Sequence, residues 1–380
     1  MISIIIPTFQ RSEFLERKLF HLKLQNCIYE IIILDTSLGI HLKKNKGLIK
    51  SYKNSLNLNY FNLDKKFHFN KKIFFGITHV QNKYTLISFD DDFLNLEALN
   101  DSLNFLEKQK NYVGANGYVL NYIHAPKKIH NLKRIPILGK FDVFDHHNIL
   151  ERNKQYFFSN AMRNQIFNLY RTEVLKKIYK PLENRPWKKY TEILFNIAAI
   201  SSGKIKLLKK IFEIRTVNYN KEKYQDISAP NFRNPFYQDF DNDDFIDLLN
   251  SYKIIFKYFI KKNKSTNEEK VYSEIINIYF CHRIKEYYSK ELETPKKRVF
   301  KLRDILSFFI RKLKYLNLFK LNVLYLLIRN IKYYNVHEII RMFDRDPDFK
   351  YSHYYLSKYS KETEFYKGVV RTSQRFKKID

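Results

Sequence analysis

The chain has 380 residues, 44% of them hydrophobic and 17% aromatic, which suffices for a buried core over about two domains and excludes a disordered or fibrous protein. Only 8 glycines and 9 prolines argue against an all-β chain of many tight turns. The formal charge of +30 points to a polyanionic partner or anionic surface, or to a bias toward Lys of the kind an AT-rich genome imposes.

Ile2 to Ile6 is a β-branched run closed by Pro7, the pattern of a buried parallel strand. Helical spacing follows over Arg11 to Leu24, with Ser12 in position to cap it. A second strand is expected over Ile28 to Leu34, ending at Asp35. Lys71 to Val80 reads as a helix, and Tyr84 to Phe89 as a third strand running into Asp90, Asp91 and Asp92. A helix over Leu94 to Lys108 and a strand over Tyr112 to Tyr122 come next. From Ile123 to Asn160 the pattern is irregular, with Lys127, Lys128, Lys133 and Arg134 in a basic loop. Helices are expected at Ile166 to Tyr179 and at Tyr190 to Ser202, the second stopped by Gly203, and a last strand at Ile205 to Arg215. These elements make residues 1–220 one α/β unit; 221–244 reads as a linker and 245–380 as a basic, mainly helical C-terminal domain.

Strand and helix alternating in this order imply βαβ units, whose ligands bind beyond the carboxyl ends of the strands. Asp35 and the run Asp90 to Asp92 each follow an expected strand, so two acidic positions converge on that edge. Three adjacent carboxylates repel one another unless a cation offsets them. Mg²⁺ or Mn²⁺ takes oxygen ligands through one or two carboxylates and completes its shell with phosphate and water. The bland alternative is a solvated acidic turn at a helix start. His146 and His147, near Asp142 and Asp145, lack a spaced third ligand and make a poor zinc site. Cys27 and Cys281 form neither a metal spacing nor a disulfide framework, which leaves a reduced cytoplasmic compartment as the default. The first residues lack the basic start of a secretory signal, and no run of 18 uncharged apolar residues occurs.

The stretch Ser3-Ile4-Ile5-Ile6-Pro7-Thr8-Phe9-Gln10-Arg11 resembles the opening strand and loop of the inverting family-2-like GT-A glycosyltransferases. Ile31 to Ser37 is similar to the second strand of that family, and Tyr84 to Phe93 to its Asp-x-Asp motif. The likeness covers about residues 1–215 and is closest to a divergent bacterial branch. It implies an α/β fold of GT-A type, a Rossmann-like, mostly parallel sheet flanked by helices. It further implies a nucleotide-sugar donor, a glycan or lipid-linked acceptor, and Mn²⁺ or Mg²⁺ as cofactor. On this resemblance Thr8 and Phe9 border the base, Asp35 contacts base or ribose, Arg11 orients the loop or diphosphate, Asp90 and Asp91 meet ribose or diphosphate, and Asp92 ligates the metal. The family usually places its catalytic base in a Glu-Asp pair at a later helix start. Here Glu192 is followed by Ile193, so Glu192 is the remaining carboxylate for that role. Trp187, the single tryptophan, stands nearby as an acceptor-stacking or core residue, and Arg215 as a phosphate contact or a structural ion pair.

Residues 296–333 combine Leu302, Ile305, Leu306, Phe309, Leu313 and Leu316 at helical spacing with Lys297, Lys301, Arg311, Lys312 and Lys314. A basic amphipathic helix of this kind suits an anionic membrane surface, and equally a packed helical domain. The expectation is therefore a cytoplasmic enzyme, peripheral on the inner membrane face, in cell-surface polysaccharide synthesis. Two other classes fit parts of the sequence. The charge suits a nucleic-acid-binding protein, though no such motif accompanies it and nucleic acid is an unlikely partner. The missing Asp at position 193 suits a GT-A-like interaction module without catalysis.

Overall fold

A computed structural model describes residues 2–123, 144–158, 165–185, 191–217, 274 and 364–376. Its centre is an eight-stranded sheet in the order β3-β2-β1-β4-β7-β6-β8-β5. Strands β1 (Ile2–Thr8), β2 (Glu30–Asp35), β3 (Asn57–Asn62) and β4 (Tyr84–Ile87) run parallel. Strand β7 (Leu169–Arg171) is antiparallel to both β4 and β6 (Tyr112–Ile123). Strand β8 (Lys204–Val217) runs parallel to β6, and β5 (Asp92–Leu94) pairs antiparallel with β8 at the sheet's end.

Alternation along the strands explains why both faces are covered. Ile4 and Ile6 of β1 and Ile31 and Ile33 of β2 pack with Leu15, Leu19 and Leu22 of α1 (Ser12–Leu24), Leu99 and Leu106 of α4 (Leu96–Lys108), and Tyr52 of α2 (Gly39–Tyr52). Ile5, Ile32 and Leu34 point the other way, into a core with Ile73 and Ile77 of α3 (Phe69–Thr78), Leu175 and Ile178 of α6 (Thr172–Tyr179), and Phe195 and Ile197 of α7 (Thr191–Ser202). Helix α5 (Ile149–Phe158) adds Tyr156 to the same side. The α/β architecture expected from the sequence is thus present, with antiparallel pairings at β7 and β5.

Several local expectations change. Helix α1 begins at Ser12 itself, with Arg11 in the cap position and no side-chain cap; the Ser12 hydroxyl instead meets His41 Nδ1 at 2.9 Å. Strand β2 starts at Glu30 and leaves Ile28 82% exposed. The expected helix over Ile166–Tyr179 divides into a 3-10 turn at Gln165–Phe167, strand β7 and helix α6. Part of the irregular stretch from Ile123 to Asn160 is helix α5. Gly203 follows α7 as expected, yet its φ is not positive. A Cβ there would lie 2.4 Å from Val113 Cγ1, so close approach of the chains is what requires glycine.

The final described element is α8 (Glu364–Arg375), which packs on α1; Phe376, just past its end, lies against Phe14 and Phe20. The linker expected at 221–244, the basic stretch 296–333, Lys127 to Arg134, Asp142 and Trp187 lie outside the described residues. Among the described residues no helix is long and apolar enough to cross a membrane.

Candidate active site

Parallel register carries the chemistry-bearing residues to one edge. Thr8 at the end of β1 stands beside Asp35 at the end of β2, and β4, on the other side of β1, leads into the acidic run through Ser88, whose N–H donates to Ile5 O at 2.9 Å. Thr8 and Asp90 then meet directly: Thr8 Oγ1 donates to Asp90 Oδ2 at 2.8 Å. Arg11, from the loop after β1, reaches Asp91 Oδ2 at 3.1 Å and Asp90 Oδ1 at 3.4 Å. The opening loop and the acidic turn, 79 to 82 residues apart in sequence, therefore form one site.

The three aspartates have different surroundings. Asp90 and Asp92 are each 4% exposed, whereas the Asp91 side chain is 24% exposed beside the similarly accessible Arg11. Burial pushes the Asp90 carboxyl up to about 6, and neighbouring Asp91 adds to this; Arg11, the Thr8 hydrogen bond and Lys72 oppose it. Burial likewise raises Asp92 well above the usual carboxylate range, reinforced by Asp91 and Glu213 and opposed by Arg215 and Lys18. Arg215 Nε lies 3.7 Å from Asp92 Oδ2, across the β5–β8 pairing that sets the two residues side by side. The cations needed to offset three adjacent carboxylates come in part from the chain itself, from Arg11, Lys18 and Arg215.

Asp35 is fully buried and already well supplied with donors. Its Oδ1 accepts from Ser37 N–H at 2.7 Å; its Oδ2 accepts from Asn45 Nδ2 at 2.8 Å and Tyr60 OH at 2.7 Å. Burial, then this hydrogen bond, raises the Tyr60 phenol above its ordinary value, so the phenol stays a donor. The carboxylate thus fixes the turn after β2 and ties it to α2 and β3. Gln10, in the left-handed region at φ 54°, locks the two loops together: its N–H donates to Ser37 Oγ at 2.8 Å and its Oε1 accepts from Leu38 N–H at 3.2 Å. Phe9 stands beside this latch with 49% of its surface exposed.

Glu192, in the first turn of α7, is half-buried. Burial raises its carboxyl, and the charge of Arg215 opposes that rise. Arg215 feels Asp92, Asp91, Glu213 and Glu192, so it electrically links the expected base to the acidic turn. Four participants escaped the sequence reading: Arg17, Lys18, Lys72 and Glu213. Lys72, only 6% exposed, donates to Thr8 O and Thr36 Oγ1, both at 3.1 Å. Its one sequence signal is a lysine set at helical spacing with Ile73, Gly76 and Ile77 on the inward face of α3.

His146 and His147 stack on each other at 4.3 Å; His146 Nδ1 accepts from Asn148 N–H, and both carbonyls accept from Arg152. That is a loop anchor. Among the described residues no group of three His, Cys, Asp or Glu side chains is arranged to hold a metal alone. A hard divalent ion that draws most of its shell from a diphosphate and water needs only one or two carboxylate oxygens. The donor chemistry of Asp91 and Asp92, with Asp91 at the accessible edge, fits that mode.

Residues 3–179 match the family described as Glycosyl transferase family 2. No curated protein matches the chain by sequence. Among solved structures, the fold is similar to that of S. aureus TarS 1-349 in complex with UDP-GlcNAc, at 16% identity and a TM-score of 0.50 over 82% of this chain and 80% of that one. A second structure of S. aureus TarS matches at 15% identity and a TM-score of 0.46, covering 89% of this chain and 53% of the other, so this chain spans about half of its length.

Proposed function

We propose that this chain, whose residues 3–179 match glycosyl transferase family 2, is a GT-A glycosyltransferase that carries out metal-assisted transfer of a sugar from a nucleoside diphosphate donor. The observation that carries the reading is the joining of Thr8, Arg11 and the Asp90–Asp92 turn at the carboxyl edge of the parallel strands. Phe9 offers the base an exposed aromatic face next to the loop that Gln10 and Asp35 hold in shape. Asp90, fixed by Thr8, and Asp91, paired with Arg11, present acceptors to ribose hydroxyls and bracket the diphosphate with a guanidinium. Asp92, with the more accessible Asp91 beside it, would hold Mg²⁺ or Mn²⁺, which when bound supplies Lewis-acid neutralisation of the diphosphate.

Glu192 takes the proton from the acceptor hydroxyl as that oxygen attacks the anomeric carbon, whose bond to the nucleoside diphosphate breaks with the electron pair leaving on the diphosphate oxygen. Burial raises its pKa, which makes it a stronger base than an exposed carboxylate, while the charge of Arg215 favours its ionised form. A glutamate acting directly on the acceptor corresponds to transfer with inversion. The liganded state of the TarS neighbour, a UDP-sugar, supports a nucleotide-sugar donor. The acidic turn favours UDP, GDP or dTDP over a CMP-activated sugar, which carries no diphosphate. A glycan or lipid-linked acceptor at the cytoplasmic face of the membrane suits the basic composition of +30.

The test is a thermal-shift screen of UDP, GDP, dTDP, CDP and CMP, each with Mn²⁺ and with EDTA. Ligands that bind only the folded state raise the melting temperature. Mn²⁺-dependent stabilisation by one diphosphate, lost in Asp92→Ala, is expected. No shift with any nucleotide, together with tight, salt-sensitive binding to nucleic acid, would overturn the reading.

A further inference from the structure

Helix α1 and the residue that caps it, Gln25, lay a row of polar side chains along the backbone of residues 91–94. Arg17 Nη2 donates to Asp91 O, Lys18 Nζ to Asp92 O and Gln25 Nε2 to Leu94 O, each at 2.8 Å, and His21 Nε2 meets Leu94 O at 3.2 Å. Strand β5 is the last of the sheet, with β8 on one side only, so α1 supplies donors where a neighbouring strand would otherwise stand. The Arg17 guanidinium is held flat between Phe14 and Phe93, 4.9 Å from each ring centroid.

Lys18 differs from the rest of the row. The residue is 1% exposed, and its Nζ donates to Ser88 Oγ at 2.6 Å as well as to Asp92 O. One nitrogen therefore ties together both ends of the turn that carries Asp90 and Asp91. Ser88 Oγ passes the connection to Glu213 Oε1 at 3.3 Å on β8, another buried side chain. Burying an ammonium and a carboxylate is unfavourable unless their geometry repays the lost hydration. A methionine would fill the same volume without that cost, so filling space does not account for Lys18.

We propose that Lys18 is a positioning residue, which sets the shape of the Asp90–Asp92 turn and through it the affinity for the nucleoside diphosphate. The readout, though not the geometry, rests on the transferase reading above. Lys18→Met alone removes the larger of the two counter-charges of Glu213, Arg215 being the other, and is expected to lower the melting temperature. The deciding variant is therefore Lys18→Met/Glu213→Gln, which removes both charges and keeps an acceptor for Ser88. Calorimetric titration with UDP, GDP and dTDP, each with Mn²⁺, is run beside a melting curve. Near-wild-type melting with affinity weakened about tenfold or more is expected, since small misplacements of binding groups carry penalties of that order. Melting and affinity both restored to wild type would overturn the proposal and leave Lys18 a charge balance for Glu213. Should the double variant not fold, Ser88→Ala decides: it keeps Lys18 but cuts one anchor of the turn, and wild-type affinity in it would also overturn the proposal. Absence of binding by the wild-type chain needs no variant to be seen; it would remove the transferase reading itself, and this proposal with it.

Discussion

At the scale of single residues, the site combines accessible groups with enclosed ones. Phe9, Arg11, Asp91 and Glu192 reach accessible surface, whereas Thr8, Asp35, Asp90 and Asp92 are almost wholly enclosed and bonded to neighbours. The acidic turn was legible in the sequence because its three carboxylates are adjacent and follow a strand. Arg11 and Arg215 were candidates from the sequence as well, but Lys18 and the Ser88–Glu213 link were not, because Lys18 lies 74 residues from Asp92 and Ser88 lies 125 from Glu213; only folding brings them together. Glu192 carries the sharpest prediction here. Glu192→Gln keeps the shape of the first turn of α7 and removes the base, so turnover should fall by about 10²–10⁴-fold, the range of general-base catalysis. Affinity for the nucleoside diphosphate should stay within about twofold, because Glu192 is electrically linked to the site but is not among its donor contacts. Steady-state kinetics beside calorimetry measures both, and an unchanged turnover would assign the base elsewhere.

At the scale of elements, periodicity found those with an apolar stripe and missed those without one. Helix α2 buries only Asn45 and Tyr52 and turns lysines outward, so it has no stripe to read. Strand β3, with the sequence Asn-Leu-Asn-Tyr-Phe-Asn, is an edge strand with an exposed and half-buried pattern. Strands β5 and β7 are three residues each, too short for a period, and β5 opens with an aspartate that pairing to β8 overrides. The β6–β8 ladder shows the opposite case, a glycine whose role becomes clear only in space. Gly117 sits where the register shifts between Asn116 and Tyr118, and a Cβ there would lie 2.2 Å from Lys210 O. The obstacle is backbone, which cannot rotate aside. Gly117→Ala should destabilise the fold by about 1–3 kcal/mol, as overpacking does, read as a lower denaturation midpoint at unchanged slope. A neutral effect would mean the ladder can slide to accommodate a methyl group.

At the scale of the whole described structure, the chain returns from its far end to cover the helix that grips the acidic turn. Phe365, Thr372 and Phe376 of the C-terminal segment are buried. Arg375 lies over the Phe20 ring at 4.3 Å, and His21, fully enclosed, meets Phe93 and Phe365 edge-on. No local pattern announces a contact across 351 residues such as that of Thr372 Oγ1 with His21 Nδ1 at 3.5 Å. This closure has a consequence in acid. Burial, with Lys18 and Arg17 nearby, pushes the His21 imidazole down to about 3, against the weaker pull of its bond to Leu94 O. The unfolded chain, with an ordinary histidine near 6.5, binds the proton more readily than the folded one. Stability from His21 is therefore complete above about pH 6.5, declines as pH falls below it, and is exhausted near the folded value. The slope is at most about 1.4 kcal/mol per pH unit. Asp90 and Glu213, raised to about 6 and about 7, slope the other way over part of this range, because their folded forms hold protons more tightly than the unfolded chain does. The measurement must therefore be a difference: urea unfolding of wild type and His21→Gln at intervals from pH 7.5 to 4.5. The variant keeps an amide able to donate to Leu94 O and has nothing to titrate. The gap between the two curves should close, or reverse in favour of the variant, as pH falls; a constant gap would show that His21 does not stay neutral beneath the C-terminal helix.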